Sequence, residues 1–450
     1  MFHFLPRFVG PRSRARLPLT LLVLGTTLHA QALELNDRLS IQAQTTFIWQ
    51  AKPAFHAGYS GPNSLSPLEE RSYSLTATAD IGLRLWEGAQ LHFNPEAAQG
   101  QPLSRLTGAG GLSNGELART SGGELSTYRA RLFLLQRWNV GGETETLEAG
   151  FNELGGAASA RRWTLVVGSF SLLDYFDNNP YAKDPRSQFF NWAFLTHGAW
   201  DYAADSRGYT HAALLEYRTP VWAVRAARAA VPVESNGLRL DANLERRFGD
   251  QVEVETELPL RLPAGALRAS ALWFRNQAVM GSYTEALAQG GTPDIGRVRR
   301  EQSKTGWGFT LMAPLSDDAG LFLRSSANDG QTETYAFTEI DRQTAVGGQF
   351  GGARHDDRWG LGLAINELSP AHRDYLAAGG QGFFLGDGRL NYAPEQVLEA
   401  WYRWALPDVT TRAGAVQSTI SLGWQHIRNP GYNQDRGPVQ VYSLRWHSAF

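Results

Sequence analysis

The chain has 450 residues, 42 Lys and Arg against 44 Asp and Glu, a formal net charge of -2, and no cysteine. The near balance of charge argues against a nucleic-acid binder, which needs a basic stripe, and the missing cysteine excludes disulfide frameworks, thiol catalysis and thiolate metal sites. With Gly 47, Trp 14, Tyr 15, Phe 22 and only 19% charged residues, the composition fits an aromatic, glycine-rich β protein. A length of 450 can serve one closed barrel as readily as two or three ordinary domains.

The chain opens "MFHFLPRFVGPRSRARLPLTLLVLGTTLHAQA". Arg7, Arg12, Arg14 and Arg16 precede an apolar run from Leu17 to Leu28, and Ala30-Gln31-Ala32 supplies an A-x-A cleavage site. The run is about a dozen residues, short of the ~20 that a spanning helix needs, so residues 1–32 read as a cleaved signal peptide. Nothing after it reads as a transmembrane helix, and mean hydropathy is -0.32. A membrane position for the mature chain therefore requires a barrel.

Beyond the leader, a two-residue period recurs along the chain. In "YSLTATADIGLRL", Tyr73, Leu75, Ala77, Ala79, Ile81, Leu83 and Leu85 share one face, while Ser74, Thr76, Thr78, Asp80, Gly82 and Arg84 share the other. "KTGWGFTLMA" sets Trp307, Phe309 and Leu311 against Gly306, Gly308 and Thr310; "RWGLGLAIN" sets Trp359, Leu361, Leu363 and Ile365 against Gly360, Gly362 and Ala364. "VLEAWYRWAL" places Glu399, Trp401 and Arg403 opposite Leu398, Ala400, Tyr402, Trp404 and Leu406, and "STISLGWQH" repeats the alternation. In the last stretch, "PVQVYSLRWHSAF", Tyr442, Leu444, Trp446 and Phe450 share an aromatic face opposite Arg445 and His447. An aromatic outer face and a polar inner one predict lipid outside and water inside.

Turn signals such as Gly141-Gly142, Asp317-Asp318, Asp329-Gly330, Asp387-Gly388 and Asn429-Pro430-Gly431 separate these runs. A secreted sandwich would also alternate, but with more Val and Ile inside and more Lys and Glu outside. The reading is all-β: a transmembrane antiparallel β-barrel forming one domain over residues 33–450. At about ten residues per tilted strand it has about 16 strands, with 14 to 18 possible, and encloses an aqueous channel. Phe450 is expected to close the last strand in the aromatic girdle of the periplasmic rim.

Several residues carry candidate function. The connection 171–208 is long and aromatic, and is predicted to fold into the barrel and narrow the pore, with Asp184-Pro185-Arg186 fixing a turn and Asp184, Arg186, Asn191, Trp192 and Asp201 near the constriction. The other reading is an outer cap in which these charges pair with one another. Glu399, Trp401 and Arg403 on one lumen face offer the hydroxyl-binding groups and the aromatic ring that a sugar needs, although Glu399 and Arg403 could simply pair along a solvated wall. "GLSNG" at 111–115 matches a hydrolase elbow around Ser113, but it sits in a Gly-rich loop rather than between strand and helix. The pairs Asp317-Asp318 and Asp356-Asp357 read as turns, and the ten histidines lack metal-ligand spacing. No metal, cofactor or chemical step is expected.

The segments "WQAKPAFHAGYSGPNSLSP", "LHFNPEAAQG", "SLLDYFDNNPYAKDPRSQFFNWAFLTHGAWDYAADSRGYTHAALLEY", "SPAHRDYLAAGGQGFFLGDGRLNYAPEQVLEAWY" and "HIRNPGYNQDRGPVQVYSLRWH" resemble the carbohydrate-selective outer-membrane porin family, often called OprB-type. They reach from about Trp49 to the end, and the stretch from about Leu238 to Gln302 matches less distinctly. The resemblance implies a 16-stranded channel in the outer membrane of a Gram-negative bacterium, embedded in outer-membrane lipids, that passes glucose and other small sugars passively. It further implies that the terminal aromatic is read by the barrel-assembly machinery. A general diffusion porin would share this fold.

Overall fold

A computed structural model describes residues 38–117, 122–336, 338–411 and 414–450; the segment read as a signal peptide lies outside the described residues. Among them the strands are β1 (Leu39–Lys52), β2 (Glu70–Trp86), β3 (Ala89–Gln101), β4 (Ser126–Leu147), β5 (Gly156–Phe170), β6 (Thr210–Arg218), β7 (Trp222–Ala229) and β8 (Phe248–Leu262). They continue as β9 (Gly265–Met280), β10 (Arg300–Pro314), β11 (Gly320–Asn328), β12 (Arg342–Gly351), β13 (Arg358–Glu367), β14 (Glu395–Ala405), β15 (Gly414–Arg428) and β16 (Val439–Ala449). A short piece, Val409–Thr411, prolongs the turn-side end of the β14–β15 hairpin. Every strand pairs antiparallel with its sequence neighbour, and β16 pairs with β1 from Gln44↔Ala449 to Ala51↔Tyr442, so the sheet of sixteen strands closes on itself.

Closure follows from the strand faces. Trp49, Trp163, Trp222, Trp273, Trp307, Trp359, Leu422, Leu444 and Trp446 are exposed on the outside, whereas Ser74, Thr76, Thr78, Asp80, Glu399, Ser421, Gln425 and Arg445 are buried inside. The alternation thus has the sense expected of a barrel in lipid. With an even number of strands, both ends of the sheet emerge at the rim that carries the short turns 87–88, 219–221, 263–264, 315–319 and 352–357. Two of these turns hold the acid pairs: Asp318 pairs with Arg358, and Asp357 with Arg354 at 2.7 Å. The other rim carries the long connections 53–69, 102–125, 171–209, 230–247, 281–299 and 368–394. There the short helices α1 (Tyr283–Ala288) and α2 (Pro370–Ala377) meet through Tyr283 stacked on His372, ring centroids 4.2 Å apart.

The seam ends on the terminal residue. Phe450 N donates to Ala43 O, and Ala43 N donates to Phe450 O, each at 3.1 Å. In hydrocarbon an unpaired backbone group costs several kcal/mol, so this last pair matters more than it would in water. Deleting Phe450 is expected to lower the fraction of protein that migrates as compact barrel in SDS before heating. An unchanged heat-modifiable fraction would show that the seam closes without it.

Candidate functional site

The connection 171–209 lies inside the barrel, seated against the wall from β8 to β16. Arg324 of β11 is wholly buried and holds it at three points: the Asp177 carboxylate at 2.9 Å, Phe194 O at 2.6 Å and Ala182 O at 2.6 Å. Glu399 of β14 accepts from Phe190 N at 2.5 Å and Asn191 N at 2.8 Å. Arg445 of β16 donates to Pro185 O and Gln188 O and lies over the Phe190 ring. Lys304 of β10 pairs with Asp201 at 3.1 Å, and Gln343 of β12 accepts from Gly198 N at 2.7 Å. The wall's buried side chains thus satisfy backbone and charged groups of the loop, which a lumen of bare strands could not do.

Apolar packing completes the seat. Phe189 stacks on Phe194 at 4.6 Å and meets Phe322 and Trp401 edge-on at 5.9 Å. The inward glycines make room: a Cβ on Gly362 would lie 2.7 Å from Phe194, one on Gly423 2.5 Å from Phe190, and one on Gly308 2.4 Å from His197. The small-residue face read from the sequence is therefore the bed of the loop.

Between the loop and the wall of β1 to β4 lies a cavity of about 660 Å³, bordered on the wall side by Gln44, Thr76, Glu96 and Arg131. Arg186 projects from the loop across this gap. Its Nε donates to Glu116 at 2.7 Å and its other arm lies 3.6 Å from Glu96 of β3. Glu96 also accepts from Thr78 at 2.6 Å, Tyr209 at 3.1 Å and Tyr128. Asp174 pairs with Arg131 of β4 at 2.7 Å, and Arg207 covers the Tyr128 ring at 3.9 Å. Asp184 accepts from Arg186 N at 2.9 Å and from Ser187 Oγ at 2.6 Å, which builds the turn that presents Arg186. Burial pushes the Lys183 ammonium on the same rim down to about 8.

The candidates separate into two groups. Asp184, Arg186 and Trp192 line the cavity, with Trp192 stacked on Tyr202 at 6.3 Å. Asn191 is buried between Glu399 and Gln425, and Asp201 between Lys304 and the backbone of Tyr335 and Ala336. Trp401, expected on an open lumen face, is 3% exposed beneath Phe189, so while the loop is seated its ring cannot meet a solute. Glu399 likewise binds loop backbone instead of pairing with Arg403, which lies two inward positions nearer the short-turn rim on the same strand. Ser113 donates to Gln50 Oε1 at 2.9 Å rather than to an imidazole.

Glu96, Glu116, Arg131, Arg137 and Glu153 also line the cavity and escaped the sequence reading. Glu96 was within reach of it, because His92, Asn94 and Glu96 alternate with Leu91, Phe93 and Pro95. Glu116 and Glu153 lie in connections, where no period marks a face.

The sequence model of the family described as "Carbohydrate-selective porin, OprB family" matches residues 64–450. The high-pH structure of Pseudomonas putida OprB superposes with a TM-score of 0.67 at 15% identity, covering 93% of this chain and 95% of that one. The outer membrane channel DcaP of Acinetobacter baumannii gives 0.49 at 10% identity, over 92% and 97%. A search of curated proteins gives no match.

Asp177 is the carboxylate on which the loop's seat turns. Burial alone would raise it, but Arg324, with His197 and Lys183, holds it below its ordinary value. Its stabilising contribution is therefore present above the usual aspartate pKa of about 3.9 and is lost as pH falls through the lowered value. Asp177→Ala leaves Arg324 buried without a counter-charge, a loss of about 3–5 kcal/mol. Limited proteolysis is expected to cut within 171–209 in this variant and to spare the wild type. Lys183 gives a second test: deprotonation as pH rises through about 8 should raise the K⁺ over Cl⁻ permeability ratio, and Lys183→Met should show the high-pH ratio already at pH 7.

Proposed function

Because the chain belongs to the carbohydrate-selective porin, OprB family, we propose that glucose and other small uncharged sugars cross its barrel through the gap between the inward loop and the β1–β4 wall. The protein is a sugar-selective channel of the outer membrane; the proposal concerns the route and the residues that make it selective. The observation that carries it is the charge pairing along the gap. Arg131, Arg137, Lys183, Arg186 and Arg207 face Glu96, Glu116, Glu153, Asp174 and Asp184, five cations against five carboxylates.

Neither sign of ion meets a net attracting field in such a lining, and an ion that sheds water to enter gains no free counter-charge. A sugar has no charge to compensate. Its hydroxyls exchange water for hydrogen bonds to guanidinium and carboxylate groups, and the half-buried rings of Tyr175 and Tyr209 suit its C–H side. Arg186 reaches into the gap and is shared by Glu116 and Glu96.

Asn191, Asp201, Glu399 and Trp401 contribute by holding the loop, and Arg403 by the charge it adds below the seat. Export through a cleaved signal peptide at 1–32, and recognition of the strand ending in Phe450 by the barrel-assembly machinery, belong to the same proposal.

Planar-bilayer recording on the full channel tests it. Arg186→Ala should raise single-channel conductance and turn the pore cation-selective, because Glu96 and Glu116 lose their counter-charge. It should also weaken glucose block of the current by about tenfold, the worth of one charge-assisted hydrogen bond. Glucose block at wild-type strength in the variant would remove Arg186 from the sugar path, and equal permeation of glucose and uncharged solutes of the same size by the wild type would point to general diffusion.

A further inference from the structure

On the rim that carries the short turns, the β4–β5 hairpin runs furthest past its neighbours among the described residues. β3 stops pairing with β4 at Ala89↔Gln136, and β6 stops pairing with β5 at Arg218↔Arg162. Beyond those points the two arms have only each other, as far as Leu147↔Gly156. The register of the pair shifts around Gly141, and Gly141 and Gly142 take φ of +122° and +93°, a conformation that lets this free ribbon bend sharply. The bend turns the tip back into the lumen instead of away from the barrel.

The tip is held there by inward side chains of three strands. Asn152 N donates to Asp80 of β2 at 2.8 Å, and Asp80 is itself fixed by Asn94 at 2.8 Å and His92 at 3.0 Å. Leu154 N donates to Gln90 of β3 at 2.9 Å, and Glu153 pairs with Arg137 of β4. The Leu154 side chain is buried and fills the space over Gly82, where a Cβ would come within 2.9 Å of it. The seat is as specific as that of the larger loop, and it is approached from the opposite rim.

Two cavities border this tip. Phe151, Asn152 and Glu153 line the side of the 660 Å³ gap that Arg186 crosses. Leu154, Gly155 and Gly156 line a second cavity of about 570 Å³ with Arg84 and Trp86 at the short-turn rim, and Arg137 borders both. We propose that the re-entrant tip is a second narrowing of the pore, on its periplasmic side, which a sugar meets after Arg186 and whose Phe151, Asn152 and Glu153 contact it in passing. The set is of the right kind: a ring for the C–H face, and an amide and a carboxylate for hydroxyls. The inference rests on the gap being the sugar path, but the narrowing itself is a matter of geometry and is read by ions.

The absence of cysteine gives a direct test. Phe151→Cys places one thiol at the tip of the full-length channel, and Asp317→Cys places one in an ordinary turn of the same rim. A negatively charged methanethiosulfonate should reduce the KCl current of the first by about half, as a fixed charge in a narrow pore does, and leave the second unchanged. Replacing residues 144–157 by Asn-Gly should raise conductance and abolish the thiol-independent part of the restriction. An unchanged current after modification confirmed by mass, or a Phe151→Cys thiol unreactive from both sides, overturns the proposal whether or not the shortened variant folds. Absence of glucose block in the wild type would defeat the sugar reading alone, because the current readout uses no sugar.

Discussion

Lipid offers no hydrogen bonds, and the rest of this molecule depends on that. A backbone group left unpaired in hydrocarbon costs several kcal/mol, so a sheet in a membrane must close on itself. Closure here is the pairing of β16 with β1, carried to the last residue by the reciprocal bonds of Phe450 and Ala43. It fixes the parity of every strand, because a slip of one residue at the seam would turn Arg445 to lipid and Trp446 to water. It also fixes the size of the hole. Sixteen strands enclose a lumen wider than a sugar, so selectivity has to come from what fills it.

The filling is built from the lumen's own polar demands. Arg324, Glu399, Arg445 and Lys304 are buried in the finished structure, and each is bonded to loop backbone or to a loop carboxylate. These side chains would be hydrated in an open barrel and are desolvated once the loop sits, so the seat is stable only if nearly every one finds its partner. Aromatic packing adds what hydrogen bonds do not, since Phe189, Phe190 and Phe194 bury their rings on the glycines of β13 and β15. The outcome is a fixed partition: the loop occupies the side of β8 to β16, and the cavity lies toward β1 to β4, where the proposed sugar path runs.

Which of this was legible in the sequence follows from what a period of two can say. Alternation identifies the inward side of a strand, and Ser74 to Asp80, the glycines of "RWGLGLAIN" and Arg445 all lie where it puts them. It is silent on whether an inward residue meets water or another part of the chain. Trp401 reads as a solute contact for that reason, and the structure shows it as part of the loop's bed. The aromatic content of 171–209 did signal burial, while its partners, spread over β8 to β16, are long-range and leave no local mark. Glu116 and Glu153 could be placed only by three-dimensional folding, because each reaches the pore from a connection whose course is set by other residues.

The lining chemistry explains why a pore for neutral solutes is dense in charge. An apolar constriction would exclude ions, but it would also strip a sugar of its hydrogen bonds to water and return nothing. Charges of one sign would return bonds and also concentrate counter-ions. Alternating, mutually paired charges do neither: the cavity lining, with Arg186 between Glu96 and Glu116 and Arg131 against Asp174, keeps donors and acceptors at fixed positions while its cations and carboxylates balance in number. The same pattern recurs at Arg137 with Glu153, on the tip that enters from the other rim. On the proposed path, a sugar would trade the partners around Arg186 for those of the tip, so that no single site has to bind it tightly enough to delay its release.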